Sequence, residues 1–321
     1  MKSVRWGLIG AGWIATKAIA PAMHMADNTI VQAVASRDAR RSKALNPVTV
    51  HESYSALLED PLVDAVYISL PNNLHCEWTV KALKAGKHVL CEKPFAMNVL
   101  EAQSMIDTAQ EQGRLLVEAV ASQWHPRMMR MAELVNSGNI GEINSIDSSF
   151  TFPASIEGNY RLSKAMGGGA LFDIGIYPLH AIAALVGNQA EANIESCDVK
   201  LGPTGIDLTT KWLMHIHGLI TAESLVSFEM PETQTFIVHG EKNSVELLGN
   251  QAFTSWQSPS ALRFGVHIEE FGEADAHRIM IENFSRRVYG EDSWVLPLET
   301  SLWVQKVVDQ LRNFGAGAPF L

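Results

Sequence analysis

The feature that most constrains this chain lies at its head. Residues 4–9 read as a buried strand, and the apolar stretch that begins at Trp6 runs through Gly7-Leu8-Ile9-Gly10-Ala11-Gly12-Trp13-Ile14-Ala15. A strand that meets two spaced glycines and then a helix leaves few folds open. Gly10 makes the tight turn, Gly12 leaves room for a pyrophosphate beside the backbone, and Ala15 lets helix and strand pack closely. The helix start offers free N–H groups to phosphates. Trp13 and Ile14 stand at that entrance and join Gly10 and Gly12 as candidate cofactor contacts. Such a turn also arises as plain structure, so its weight depends on the elements after it.

Those elements alternate. Strands are expected at 29–35, 63–70, 87–91 and 115–119, separated by a short helix or turn at 37–45 and helices at 15–25, 76–85 and 98–111. Pro21 bends or restarts the first of these helices, and Gly86 and Gly113 end the later ones. Asn98 and Glu101 have the spacing of a capping box. This order predicts an α/β N-terminal Rossmann domain over residues 1–120. Beyond it the period changes. Helices at 126–135 and 170–186 and long alternating strands at 143–152, 191–200, 207–216, 219–229 and 234–239 predict an α+β C-terminal domain over 121–321, with a large, mainly antiparallel open sheet. Helices at 275–289 and 300–313 complete the order, and the C-terminal helix is a candidate to pack back on the first domain. Trp212, Met214, Leu225 and Phe228 are a heavy apolar load for such a sheet, which points to a subunit contact and a homodimer or homotetramer through it.

Composition narrows the function classes. With 47% hydrophobic and 19% charged residues the chain is neither disordered nor fibrous, and a formal charge of -10 argues against a nucleic-acid binder. Three scattered cysteines form neither a disulfide framework nor a CxxC, which suits a cytoplasmic protein. No metal trio stands out. The apolar window at 165–187 carries Asp173 and His180, so no membrane span is expected.

The candidate site residues sit at strand ends, where ligands of a doubly wound sheet lie. Ser36 and Arg37 close the second strand, and a hydroxyl beside a guanidinium suits a 2′-phosphate, so NADP is favoured over NAD. Asp38 stands against that reading unless it pairs with Arg41 or starts the next helix. Pro71, Asn72 and Asn73 close the third strong strand, where the asparagines touch ribose or nicotinamide or else cap the next helix. His75 is grouped with these cofactor candidates, although local turn structure is the plainer role. Glu92-Lys93-Pro94 is a sharper signal. The Lys93 ammonium can donate to a substrate oxygen and lower the pKa of a neighbouring acid, while Glu92 orients Lys93 or binds a cofactor ribose or amide. In the second half, Gly167-Gly168-Gly169 opens a helix that carries Asp173 and Tyr177 four residues apart, on one face. A phenol can give a proton to a ketone oxygen or take one from an alcohol, and Asp173 can anchor the substrate or tune the tyrosine.

Taken together, GLIGAGWIA at 7–15, CEKPFAMN at 91–98, GGGALFDIGIY at 167–177 and FIVHGEKNSVEL at 236–247 resemble the glucose-fructose oxidoreductase, inositol dehydrogenase and rhizopine-catabolism protein (Gfo/Idh/MocA) family over nearly the whole chain. The resemblance implies hydride transfer between nicotinamide and a secondary alcohol or ketone of a sugar or cyclic diol. It maps the family's reactive lysine to Lys93 and its helix acid to Asp173. Many members carry His where this chain has Tyr177, which places it with the branch of glucose-fructose oxidoreductases, dimeric dihydrodiol dehydrogenases and nucleotide-sugar ketoreductases. Tyr160-Arg161 is similar to a segment of that branch, and Arg161 binds substrate or cofactor or forms a packing salt bridge. Trp124 and His125 lie where relatives face the substrate, although both residues equally suit a domain boundary. The expected catalytic set is therefore Lys93, Tyr177 and Asp173, with Trp124, His125 and Arg161 as further substrate contacts. A trans-dihydrodiol dehydrogenase, a non-catalytic nucleotide sensor and a redox-assisted glycosidase are the alternatives.

Overall fold

The computed structural model describes residues 3–154, 160–255 and 257–315. The chain divides into two units, the first of residues 1–121 and 275–298, the second of residues 122–274 and 299–321.

In the first unit β1 (Val4–Ile9), β2 (Thr29–Ala35), β3 (Thr49–His51), β4 (Ala65–Ile68), β5 (His88–Glu92) and β6 (Leu116–Ala119) form one sheet in the order β3-β2-β1-β4-β5-β6. Every pairing is parallel. The order reverses at β1/β4, the switch point beside which ligands of such sheets sit. Its central strands are apolar on both faces because helices cover both, and Leu8, Ile9, Val66, Ile68, Val89 and Leu90 are fully buried. The first helix includes a π-turn, Ala15–Ile19, and continues as α1 (Ala20–Met25), with Pro21 directly after the π-turn. Next come α2 (Ala39–Ala44), α3 (Tyr54–Glu59), α4 (His75–Lys84) and α5 (Val99–Gln112). The Asn98 side chain accepts from Glu101 N–H, and the Glu101 carboxylate accepts from Met97 N–H, one residue before the expected partner. The segment that returns to this unit is α8 (Ala276–Val288), with Phe284 tilted against Trp6 at 4.9 Å, and not the last helix.

The second unit contains α6 (Pro126–Asn136), α7 (Ile176–Val186) and α9 (Leu298–Gly315). Its sheet has eight strands: β7 (Ile143–Thr151), β8 (Ala192–Leu201), β9 (Asp207–Ile216), β10 (Ile220–Ser227), β11 (Thr233–Gly240), β12 (Ser244–Leu248), β13 (Ser260–Phe264) and β14 (His267–Phe271). The order is β14-β13-β12-β11-β7-β10-β9-β8, antiparallel except at β7/β10. The short strands β3, β13 and β14 carry too few alternating residues to stand out in sequence. The stretch Lys164–Val186, apolar enough by composition to cross a membrane, is largely buried in the unit.

Strand alternation corrects the expected subunit face. Trp212 and Met214 share their side of the sheet with Ile216, Ala222 and Val226, are fully buried, and pack under the head of α7. Phe228 is buried as well, so three of the four residues assigned to a contact surface belong to the unit's own core. Only Leu225 of the four lies on the opposite side, among the cross-strand ion pairs Lys211–Glu223 and Arg263–Glu246 and the contacts of His215 with Glu195 and of His239 with Asp147. Period two decides this, because residues one position apart face opposite ways.

Candidate active site

At the end of β1, Gly10 has φ +99°, and a Cβ there would stand 2.6 Å from the Ser69 carbonyl oxygen, so only glycine fits. A Cβ on Gly12 meets nothing within 4 Å. The turn is therefore tight below and open above, the shape a pyrophosphate needs. Trp13 is 64% exposed, and Ile14 is half-buried at the helix entrance.

At the end of β2, the Ser36 hydroxyl donates to the Asp38 carbonyl at 2.7 Å and pairs with Ser42. The Asp38 carboxylate accepts from Arg40 N–H and pairs with the Arg40 guanidinium, which holds its pKa below the usual value. Asp38 thus starts α2 and is committed there, with Arg40 as its partner instead of Arg41. Arg37 is exposed at the strand end. An arginine in place and an acid occupied elsewhere suit a 2′-phosphate.

Past β4, Pro71 leads into a short turn over Asn72–Leu74. Neither asparagine caps α4, whose N-cap Leu74 has no side-chain bond. Asn72 is buried and Asn73 exposed. His75 is fully buried, with Nδ1 2.8 Å from the Pro94 carbonyl and Nε2 3.0 Å from the Leu70 carbonyl. Both ring nitrogens are used by the protein, so His75 is corrected from a cofactor contact to an internal one.

At the end of β5, the Glu92 carboxyl is buried, accepts from the Tyr67 hydroxyl through one oxygen, and from Lys93 N–H at 3.3 Å through the other. Burial pushes its pKa up to about 7, against the opposing pull of Lys93. Of its two expected roles, the bonds favour orienting Lys93. Lys93 is half-buried, and the Lys93–Pro94 bond is cis.

In the second unit, the loop before α7 is drawn tight by two close approaches. A Cβ on Gly168 would lie 2.2 Å from the Arg161 carbonyl, and one on Gly169, at φ +128°, would lie 2.0 Å from Asp207 Oδ1. Asp207 on β9 accepts from Leu171 N–H at 2.7 Å and from the Thr210 hydroxyl at 3.0 Å. It thereby satisfies one of the orphan donors at the head of the helix from 36 residues away. The head is a π-turn, Leu171–Gly175, which passes into α7.

Arg161 Nε donates to Asp173 Oδ2 at 2.7 Å, and the Asp173 side chain is 8% exposed. Although burial opposes it, the guanidinium pKa is raised by the charges of Asp173, Tyr160 and Tyr177. Arg161 also lies 4.8 Å from the Tyr160 ring. Asp173 is therefore bound to Arg161 as an ion pair beside Tyr177. The half-buried Tyr177 ring is flanked by Phe150 at 5.4 Å and Phe253 at 6.0 Å, which stack on each other. No motif marks Phe150, Phe253 or Asp207 in the sequence, and only the fold shows their place beside this helix.

Trp124 is fully buried and His125 is 5% exposed. His125 Nδ1 accepts from Arg127 N–H at 3.1 Å and caps α6, and burial pushes its pKa down to about 4. Both are corrected from substrate contacts to structural residues of the second unit's opening turn and helix.

Two family models match the chain: an oxidoreductase family with an NAD-binding Rossmann fold over residues 4–120, and the GFO/IDH/MocA C-terminal domain over residues 128–246. An uncharacterized oxidoreductase of Rhizobium meliloti is 33% identical over 98% of this chain and 97% of its own. The D-xylose 1-dehydrogenase (NADP(+)) 2 of Haloferax volcanii is 32% identical, covering 95% of each. A 3-ketoreductase from Actinomadura kijaniata, solved in complex with NADP and TDP-benzene, superimposes with a TM-score of 0.88 at 31% identity over 98% of both chains. That ketoreductase has also been solved with a lysine and, separately, a tyrosine substituted, and these two are as far apart in its chain as Lys93 and Tyr177 are in this one.

Proposed function

This chain belongs to the Gfo/Idh/MocA oxidoreductase family, and we propose that it uses NADP to interconvert a secondary alcohol and a ketone on a sugar or related cyclic polyol. The Gly10–Gly12 turn with Trp13 and Ile14, and Ser36 with Arg37, would hold the dinucleotide. Pro71, Asn72 and Asn73 would face its ribose or nicotinamide. When bound, the cofactor supplies or takes up the hydride at the substrate carbon. The remaining work falls to this chain's side chains.

In reduction, Tyr177 Oη gives its proton to the ketone oxygen. In oxidation, it takes the hydroxyl proton from the alcohol. The Lys93 ammonium donates to the same substrate oxygen and stabilises negative charge as it develops there. Arg161, held by Asp173, places a fixed cation near the phenol, which favours its ionised form. Asp173 thus acts through Arg161. The Phe150 and Phe253 rings hold the phenol in one orientation, so little ordering is left for the moment of reaction.

What supports this reading is that one unit holds a lysine beside a buried carboxyl and the other holds a phenol beside an ion pair. Their separation along the chain matches that of the two substituted residues of the ketoreductase. A panel of a nucleotide-linked ketosugar, a free aldopentose and a trans-dihydrodiol, assayed by NADPH absorbance, tests the substrate class. Tyr177→Phe and Lys93→Ala should each lower single-turnover hydride transfer by about a hundredfold or more while changing the NADPH dissociation constant by less than about threefold. Turnover at the wild-type rate in both variants would remove the assigned roles. Self-association through the ion-paired face of the eight-stranded sheet and a cytoplasmic location accompany this proposal.

A further inference from the structure

We propose that Arg127 and Gln234 are positioning residues for the reaction: they grip one peptide group, that between Ala252 and Phe253, from its two sides and so fix the Phe253 ring against the Tyr177 phenol. The two rings that flank the phenol are supported differently. Phe150 lies on β7, where pairing with β10 and β11 holds its main chain. Phe253 lies in the stretch 249–255, which belongs to no helix or strand, so no ladder holds it. Phe253 is nevertheless buried, and a buried main chain must still find partners for its polar groups. Two side chains supply them.

Arg127, in the first turn of α6, is 2% exposed. Its Nη1 donates to the carbonyls of Leu248 at 2.8 Å and Ala261 at 3.3 Å, the last pair of the β12/β13 ladder. Its Nη2 donates to the carbonyls of Gln251 at 2.8 Å and Ala252 at 3.2 Å. Four acceptors spread in this way need the planar fork of a guanidinium, whereas an ammonium is a point charge and cannot span them. Burial pushes the Arg127 pKa down to about 10, so the group keeps its charge at neutral pH and costs free energy to bury. An apolar side chain would avoid that cost. Packing alone therefore does not explain an arginine here; the four carbonyls do.

Gln234, on β11, is also buried and stands directly across from Phe150 in the β7/β11 pairing. Its Oε1 accepts from Phe253 N–H at 3.1 Å, and its Nε2 donates to the Thr254 hydroxyl at 2.7 Å. The Ala252 carbonyl and the Phe253 N–H are the two polar groups of one planar peptide unit. Arg127 holds one and Gln234 the other, so the plane cannot turn without breaking both bonds. That plane sets the direction in which the Phe253 side chain leaves the main chain. Its ring then packs at centroid separations of 5.7 Å from Phe150, 5.9 Å from Phe236 and 6.0 Å from Tyr177. The link to the reaction rests on the role given to Tyr177; the grip on the peptide does not.

Coupling between variants tests the proposal, with single-turnover hydride transfer and NADPH titration as readouts. Gln234→Met and Arg127→Lys should each lower the transfer rate about tenfold and leave the NADPH dissociation constant within about twofold. Phe253→Leu should lower the rate by a similar factor. In the Phe253→Leu background the other two substitutions should each change the rate by less than about twofold, because the ring they position is gone. Losses that multiply in full overturn the proposal, as does wild-type transfer in Phe253→Leu. Tyr177→Phe separates the two failures. Slow transfer there beside multiplying losses sinks the positioning role alone, whereas wild-type transfer there sinks the tyrosine's role and the link with it. Hydrogen exchange of the wild-type protein reads the grip directly: the Phe253 amide should be protected as strongly as the β11 amides. Exchange at a free-loop rate overturns the grip even if neither Gln234→Met nor Arg127→Lys folds.

Discussion

The end of β5 and the head of α7 carry the two halves of the proposed chemistry, and they are built in opposite ways. Lys93 is arranged first by its own neighbours in sequence, with Glu92 accepting from its N–H and Pro94 directly after it, and Tyr67 and His75 of the same unit bond those neighbours in turn. A short parallel strand, buried on both faces, delivers these residues to its C-terminal end. Tyr177 is arranged by residues from all over the second unit: Arg161 and Asp173 beside it, Asp207 from β9, Phe150 from β7 and Phe253 from the segment after β12. A centre led by chain neighbours depends on few distant residues, whereas an assembled centre depends on many.

The largest effect that would break this contrast is expected at Gly169. Gly169→Ala puts a methyl against the Asp207 carboxylate at a backbone angle that side chains rarely adopt, and should cost about 3 kcal/mol or more in urea denaturation. Gly12→Ala, facing open space, should leave the denaturation midpoint nearly unchanged while weakening NADPH binding. Equal midpoints for the two variants would show that the head of α7 is not held as described.

A smaller effect tests the cofactor end of β2. Arg37→Ala should raise the NADPH dissociation constant by about tenfold to a hundredfold and leave NADH almost untouched, as loss of a charge-assisted bond to a phosphate requires. Titration by cofactor fluorescence checks it, and a parallel loss for both cofactors would place Arg37 elsewhere.

The smallest effect sharpens the lysine end. Burial raises the Glu92 pKa from 4.5 to about 7 in the folded protein, so between those values the native state holds the extra proton. Over that window Glu92 by itself makes stability fall as pH rises. Glu92→Gln should flatten that slope in denaturation curves taken from pH 4.5 to 7, and an unchanged slope would mean that the carboxyl is ionised throughout.

The residues that changed role divide along the same line. His75, Trp124 and His125 are candidate ligands by where they stand along the chain, and each is turned inward by packing that spacing cannot reveal. Asp38 reads in sequence as an obstacle to NADP, and only its N-cap bond to Arg40 shows the carboxylate to be occupied. Trp212 and Met214 look like interface residues until the register places them under α7.

The sequence by itself determined the two kinds of sheet, the glycine turn, the Lys93 and Tyr177 motifs and the family, because periodicity, turn chemistry and short motifs act over a few residues. The tertiary structure alone decided which polar groups are already bonded to one another: Arg161 to Asp173, Asp207 to the head of α7, and His75 to two carbonyls. Those pairings join residues up to dozens of positions apart, and the free energy of hiding a polar group from water is settled only when the chain has brought its partner to it.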